Sequence, residues 1–253
     1  MTQANFKTYT RNDIVRYYAQ LSRLQPAEAA ISQCLLLSGA AMLDVGVGGG
    51  RTTPHFAPLV KQYTGIDYSP AMVAACRQRY PNVAFQVEDA RSLPYPDNHF
   101  DFVLFSFNGI DYVSHGDRLQ ILRELRRVIK PGGYLCFSSH HLPTIARQFS
   151  VRAQLRLNPL ATYTNLVMLG LLRLANRGVT VSQLAQVDYA ILKDESHNFR
   201  LHTYYIHPQA QRQQLAFGFE TVAVYPWSCS SPQDLGELAH CDDLWLYYLC
   251  KAI

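Results

Sequence analysis

Short apolar segments that alternate with amphipathic helical segments constrain the fold of this sequence more than any other feature. Each of the apolar segments has the composition of a strand that is buried on both faces. They are AAMLDV (40–45), QYTGID (62–67), VAFQVED (83–89), FDFVLFS (100–106) and GYLCFSS (133–139). Strand–helix alternation of this kind predicts an α/β fold with a parallel, doubly wound sheet.

The segments between these strands carry helix signals. SPAMVAACRQRY begins with Ser69 as N-cap, followed by Pro70 at the first helical position. GDRLQILRELRRVIKPGG (116–133) ends in a cation, a helix breaker and two glycines, which is a typical helix stop. We expect the arginines of this helix on a solvated face, opposite a buried stripe that contains Leu119, Leu122, Leu125 and Ile129.

The alternation is interrupted from about Thr144 to Asn198, where the sequence is mainly helical and shows no clear strand. It resumes with HTYYIHP (202–208), FETVAVYP (219–226) and LWLYYLC (244–250). We interpret the chain as a single domain over residues 1–253, with an N-terminal helical segment over 1–38. The interruption is then a mainly helical insertion, a lid at the carboxyl edge of the sheet.

The turn after the first strand is rich in glycine. In MLDVGVGGGR, Gly46, Gly48 and Gly50 occupy the first strand–helix turn, where open parallel sheets usually bind their ligands. The spacing is GxGxG, whereas the dinucleotide fingerprint GxGxxG would need glycine at position 51, which is Arg51. The GK[ST] sequence of a phosphate-binding loop is also absent. The first observation disfavours a dehydrogenase, and the second disfavours a phosphate-binding P-loop.

Acidic residues stand at the ends of three consecutive strands. Asp44 precedes the glycine turn, where a carboxylate would repel a polyphosphate but suits a positively charged amine. Asp67 ends the second strand, where a carboxylate can accept both hydroxyl hydrogens of a ribose. Asp89 ends the third and either accepts from an exocyclic amine or caps the next helix. A nucleoside that bears an amino acid, S-adenosylmethionine, fits this set.

The sequence resembles class I S-adenosylmethionine-dependent methyltransferases of the small-molecule, type 11-like kind. The resemblance covers roughly residues 40–139 and 202–250. It is carried by five motifs in order: LDVGVGGG, GIDYSPAM, VEDARSLPYPDNHFDFV, RELRRVIKPGGYL and YYIHPQAQRQQLAFGFE. It implies a Rossmann-like, seven-stranded sheet whose last strand is antiparallel to the others.

The resemblance also implies roles for individual residues. Asp44 and the glycine turn would bind the methionine end, and Asp67 the ribose. Asp89 and Ala90 would lie at the adenine. The other expected cofactor residues are Tyr68 and Met72 near the adenosine, and Ser106, Phe107 and Asn108 near the sulfonium. The expected product is S-adenosyl-L-homocysteine, and no metal is predicted.

His140 and His141 follow the fifth strand, at the rim where a methyl acceptor should bind. Methyl transfer is an in-line displacement, and it needs a base only if the acceptor arrives protonated. We hypothesise that one of these histidines is that base. Asn108 and Asp111, in SFNGIDYV, are either turn formers or site residues.

The composition limits the possible partners and location. A formal charge of +4 over 253 residues is weak for a nucleic-acid-binding protein. We find no signal peptide, and the apolar run Leu166–Leu172 is too short to span a bilayer. Six scattered cysteines without a CxxC pair are typical of a reduced, cytoplasmic protein.

The leading hypothesis is methyl transfer to an oxygen or nitrogen of a small organic molecule. A nucleic-acid or protein methyltransferase is the alternative, although SFNG stands where amino-directed nucleic-acid enzymes carry an NPPY-type tetrapeptide. A non-catalytic module that binds the cofactor or its product would show the same motifs. The patterns do not identify the acceptor, the methylated atom type or the oligomeric state.

Overall fold

A mixed sheet of nine strands organises residues 12–253, the part of the chain that the computed structural model describes. The strands are β1 (Ala41–Val45), β2 (Gln62–Asp67), β3 (Ala84–Val87), β4 (Phe100–Phe105), β5 (Ile129–His141), β6 (Tyr189–Leu192), β7 (Thr203–Ile206), β8 (Phe219–Pro226) and β9 (Trp245–Ala252).

Seven of these strands are adjacent in the order β3-β2-β1-β4-β5-β9-β8. The first five in that order run parallel to one another. β9 lies antiparallel between β5 and β8, with Cys136 opposite Leu249. The prediction of a mostly parallel sheet with an antiparallel last strand is confirmed.

The remaining two strands correct the prediction for the insertion. β6 lies within the segment that the sequence indicated to be free of strands, and it pairs antiparallel with β7. β7 in turn pairs with the carboxyl end of β5, where His140 is opposite Tyr205. The strand was missed because YAIL has only four residues and is set by its pairing with β7, not by a periodic pattern of its own.

Ten α-helices accompany the sheet in the described residues. They are α1 (Asn12–Gln20), α2 (Pro26–Cys34), α3 (Thr53–Phe56), α4 (Pro70–Arg79), α5 (His115–Val128), α6 (Leu142–Gln148), α7 (Pro159–Ala175), α8 (Val181–Leu184), α9 (Pro208–Leu215) and α10 (Leu235–His240). Short 3₁₀ helices occur at Ala57–Leu59, Gly109–Asp111, Arg152–Gln154 and Ser196–Phe199. None of the helices between residues 12 and 253 combines the length and apolar character needed to cross a membrane.

The N-terminal helical prediction covers both α1 and α2, while residues 1–11 lie outside the described part of the chain. Ser69 is the N-cap of α4, as predicted, and its hydroxyl accepts from the Met72 N–H at 3.4 Å. These local signals therefore specify where the helices begin.

Alternate residues of the central strands pack into two cores, one on each face of the sheet. Leu43 and Val103 face a core that includes α5, α9 and α10. Met42 and Phe102 face the other, which includes α2 and α4. A smaller cluster beneath the lid joins α6, α7, α8 and β6 to Tyr205 of β7. The sheet thus has helices on both faces, and its carboxyl edge is left to form the site.

Candidate active site

A cavity lies at the carboxyl ends of β1, β2 and β4, where parallel sheets bind their ligands. It is lined by most of the predicted cofactor residues: Asp44, Gly46, Gly48, Asp67, Tyr68, Met72, Asp89, Ala90, Ser106 and Phe107. Two predicted residues, Gly50 and Asn108, are not among its described lining residues.

Gly50 and Asn108 have backbone roles instead. Gly50 has φ +79°, and a Cβ there would lie 2.8 Å from the Tyr80 ring, so this glycine allows α4 to pack against the turn. Asn108 adopts the left-handed conformation, and its N–H donates to Ser138 Oγ at 2.8 Å. The sequence motifs place Gly50 and Asn108 in turns that follow strands. The direction in which each residue faces depends on contacts with distant parts of the chain.

Asp67 is held by the backbone as an acceptor for a ligand. The Gly48 N–H donates to Oδ2 at 3.0 Å, and the Ser69 N–H donates to Oδ1 at 2.8 Å. The side chain is buried, and burial raises the pKa of Asp67 to about 6, against these two hydrogen bonds. Each carboxylate oxygen keeps a further lone pair, so the arrangement fits a ribose diol.

The raised pKa of Asp67 predicts a pH-dependent cofactor affinity. Above pH 7 the carboxylate is ionised and has the acceptors that the predicted ribose contact needs. Below pH 6 it becomes protonated and loses acceptor capacity, so affinity should fall toward a limit of about tenfold per pH unit. Calorimetric titration with S-adenosylhomocysteine between pH 5 and 8 measures this. Asp67→Asn should make the profile less steep without abolishing it, because burial also raises the pKa of Asp44 in the same cavity to about 6, and an equally steep profile in that variant would assign the titration to another group.

Asp44 is buried deeper on β1. Thr52 Oγ1 and Tyr63 OH both donate to its Oδ2, at 2.5 and 2.6 Å. Burial raises the pKa of Asp44 to about 6, and the two hydrogen bonds oppose that shift. Oδ1 receives no side-chain hydrogen bond within residues 12–253, so it is the oxygen that can accept from an ammonium group in the cavity.

Beside Asp44 lies a buried ion pair that the sequence did not reveal. Both terminal nitrogens of Arg51 donate to Glu28 of α2 at 2.6 Å. Ser106 and Tyr247 also donate to Glu28 Oε1. Although burial alone would raise the pKa of Glu28, the hydrogen bonds from Arg51 hold it below its usual range. This network ties α2 to the floor of the cavity and fixes Ser106, which lines it.

The opposite end of the cavity is more apolar and more exposed. Met72, Val113 and Ile121 line it and provide surfaces for a flat base. Asp89 lies at this end with its side chain half-exposed, and its Oδ2 accepts from Arg91 Nη2 at 2.6 Å. Hydrogen bonding to Arg91 lowers the pKa of Asp89, which therefore stays an acceptor at neutral pH. This end fits adenine, with Asp89 at its edge.

His140 belongs to a buried polar network beside the cavity. Its Nδ1 lies 2.7 Å from Asp111 Oδ2, and the same oxygen accepts from the His140 N–H at 2.6 Å. Arg118, which is fully buried, donates to Asp111 Oδ1. This corrects the expectation that the arginines of α5 are all solvated, because the charge of Arg118 is compensated by Asp111. Tyr112 lines the cavity, with its ring centroid 6.1 Å from that of His140.

His141 is the less favourable candidate base. Neighbouring side chains of a strand point to opposite faces, and Nδ1 of His141 lies 2.8 Å from Thr144 Oγ1 of α6. Burial lowers the pKa of His141 to about 4, assisted by the positive charge of Arg147. Neither histidine is among the described lining residues of the cavity, which differs from their expected place at the rim of the site; His140 borders the cavity through Tyr112, which lines it.

Several lining residues were missed from the sequence, among them Tyr18, Arg51, Tyr112 and Arg91. Tyr18 lies on α1, which packs so closely on the glycine turn that a Cβ on Gly49 would lie 2.4 Å from the Ala19 nitrogen. Two adjacent tyrosines in the first helix were the only signal for this contact. Arg51 was conspicuous only as the residue that breaks the dinucleotide pattern.

Comparison with known proteins agrees with this geometry. Residues 42–133 match a family model described as a methyltransferase domain. The ubiquinone/menaquinone biosynthesis C-methyltransferase UbiE of Coxiella burnetii is 34% identical over 126 residues, which cover 46% of this chain and 49% of that protein. The demethylmenaquinone methyltransferase of Renibacterium salmoninarum is 33% identical over 139 residues, 55% of this chain and 53% of that protein. The chain thus spans about half the length of these curated relatives.

Solved structures show the same fold over a longer stretch. An S-adenosylmethionine-dependent methyltransferase from Mesorhizobium loti superposes with a TM-score of 0.60 at 18% identity, covering 88% of this chain and 96% of that one. At this identity the superposition supports the fold rather than a particular reaction.

Proposed function

We propose that the chain is a class I S-adenosylmethionine-dependent methyltransferase that methylates a small organic molecule, a function supported by the match of residues 42–133 to a methyltransferase domain. The observation that carries the proposal is the juxtaposition of two features at one sheet edge. A cavity with buried acceptors at Asp44 and Asp67 lies beside a histidine that is oriented by a carboxylate, His140 with Asp111.

The protein's contribution is to position groups and to move a proton. S-adenosylmethionine, when bound, supplies a methyl group that its sulfonium has already activated. Asp67 holds the ribose while Asp44 and the glycine turn hold the methionine end, and alignment of this kind contributes on the order of 7–11 kcal/mol in well-oriented reactions. Asp111 accepts from Nδ1–H of His140, which leaves Nε2 as the basic nitrogen. Nε2 then accepts the proton of an acceptor hydroxyl or ammonium.

An oxygen or nitrogen acceptor is the first candidate, because either one arrives protonated and makes use of His140. A carbon acceptor is the second candidate, favoured by the relatives that are named C-methyltransferases. The test is incubation with ¹³C-methyl-labelled cofactor and a small-molecule extract. The carbon chemical shift of the product then distinguishes methyl on oxygen, nitrogen and carbon. Tight binding of S-adenosylhomocysteine with no labelled product from any extract would favour a non-catalytic module.

The lid offers a further test of the proposal. None of the described cavity-lining residues lies between 144 and 198, so cofactor binding should not need this segment. Replacing residues 150–187 with a short Gly/Ser linker should leave S-adenosylhomocysteine affinity within about threefold of the intact chain, while methyl transfer is lost because the acceptor pocket opens to water. Calorimetry and label transfer measure the two effects. If the variant lost both cofactor binding and methyl transfer while keeping its thermal unfolding transition, that result would contradict a separable lid.

A further inference from the structure

The lid exposes an unusual amount of apolar surface. Of the nineteen large hydrophobic residues that are exposed in the described chain, eleven lie between residues 151 and 187. Five of them form one stripe along α7, with spacings of three and four residues: Leu160, Tyr163, Val167, Leu171 and Leu174. Exposed fractions of 71% at Leu160 and 58% at Leu174 show that both ends of the stripe are uncovered. Soluble domains normally expose single, scattered apolar side chains, whereas these five form one continuous apolar surface.

The stripe points away from the protein. Leu169 and Leu172, the buried residues of α7, lie on the opposite side of the helix, and Leu172 packs into the small core beneath the lid. A 17-residue helix is about 25 Å long, and this one is anchored along its inner side. The outer side therefore offers a linear apolar surface, parallel to the helix axis.

The segment that carries the stripe is basic, and the acidic residues of the lid, Asp188, Asp194 and Glu195, all follow it. Residues 142–187 contain five arginines and no aspartate or glutamate. Arg147 is paired with Asp242 at 3.2 Å, and Glu195 lies across the same polar groove. The other four, Arg152, Arg156, Arg173 and Arg177, are exposed and form no ion pair within residues 12–253. An uncompensated basic rim around an apolar stripe is complementary to a surface that is both anionic and apolar.

We propose that the lid docks on an anionic lipid bilayer, with α7 lying in the plane of the interface. A helix with an exposed apolar face and flanking cations inserts that face at the boundary between headgroups and acyl chains, while the cations attract anionic lipids. A symmetric contact between two lids would bring two basic rims together, so the charge favours a lipid surface over a second copy.

Vesicle flotation of the full chain tests the proposal. We expect flotation with vesicles of phosphatidylcholine containing phosphatidylglycerol and little with phosphatidylcholine alone. The triple variant Leu160→Gln, Val167→Gln and Leu171→Gln should lower partitioning by at least about tenfold, because the apolar contact is lost. The double variant Arg152→Gln and Arg177→Gln should lower partitioning by about fivefold per arginine. Added salt should also lower the partitioning of the intact chain, because it screens the attraction between the arginines and the anionic lipid.

A matched control separates docking from general surface hydrophobicity. Leu36→Gln, Leu59→Gln and Val222→Gln remove two leucines and a valine that are exposed outside the lid, and this variant should float like the intact chain. Equal losses in both triple variants would overturn the proposal, as would absent flotation of the intact chain. A dimer in light scattering that only the lid variant abolishes, together with absent flotation, would reassign the stripe to self-association. None of these readouts requires methyl transfer.

Discussion

Replacing Asp67 with alanine is expected to weaken cofactor binding by about 10- to 200-fold, or roughly 1.5–3 kcal/mol. The structure gives this residue a buried carboxylate whose two oxygens are each oriented by one backbone N–H, from Gly48 and Ser69. Removing it deletes the acceptors for the ribose and also leaves these two N–H groups without their partner. Calorimetric titration with S-adenosylhomocysteine at pH 8, where the carboxylate is ionised, measures the change.

Asp101→Ala is the matched control for this prediction. Asp101 also accepts a backbone N–H, from Ala41 at 2.9 Å, but it pairs with Lys130 and is not among the described lining residues of the cavity. Its loss should alter stability while affinity stays within about twofold. An Asp67→Ala protein that binds the cofactor normally would refute the ribose assignment.

Replacing His140 with alanine is expected to lower kcat by about 10²- to 10⁴-fold for an acceptor that must lose a proton. Asp111 and Tyr112 lie beside the ring, and Arg118 donates to the other oxygen of the Asp111 carboxylate, which holds Asp111 in place next to His140. The KM for S-adenosylmethionine should change little, because His140 borders the cofactor cavity without lining it. Steady-state kinetics across pH 6–9 separates the two parameters.

His141→Ala provides the control, since it removes the same side chain one position away, on the side that contacts Thr144. We expect a much smaller effect on kcat from this variant. Added imidazole should partly restore the His140→Ala protein, because it replaces a lost base but not a lost structural contact. Full turnover in both variants over the whole pH range would exclude a histidine base.

The cofactor end of the site could largely be predicted from the sequence. Asp44, Asp67 and Asp89 are near the ends of parallel strands, and the carboxyl ends of such strands converge on one edge. The direction in which each residue faces could not be predicted in the same way. Gly50 and Asn108 occupy expected motif positions, yet Gly50 packs against Tyr80 and Asn108 supplies a backbone turn. A motif fixes spacing along the chain, but not the neighbour that each residue meets.

The acceptor side was much harder to predict. Asp111 could be interpreted only as a turn former or a site residue, and Arg118 as part of a solvated helix face. In the structure they meet His140 and Gln211 in one buried network, from positions separated by up to 100 residues. No periodicity encodes such a contact, because its stability comes from compensating charges that only the folded chain brings together.

The sequence by itself determined the parallel sheet, the glycine turn and the acidic strand ends, because these follow from local periodicity and from the geometry of parallel strands. Tertiary structure alone decided the orientation of His140, the ion pair between Glu28 and Arg51, and the presence of β6. It also decided which side of α7 remains exposed. Each of these depends on contacts between distant segments, whose free energy exists only after the chain has folded.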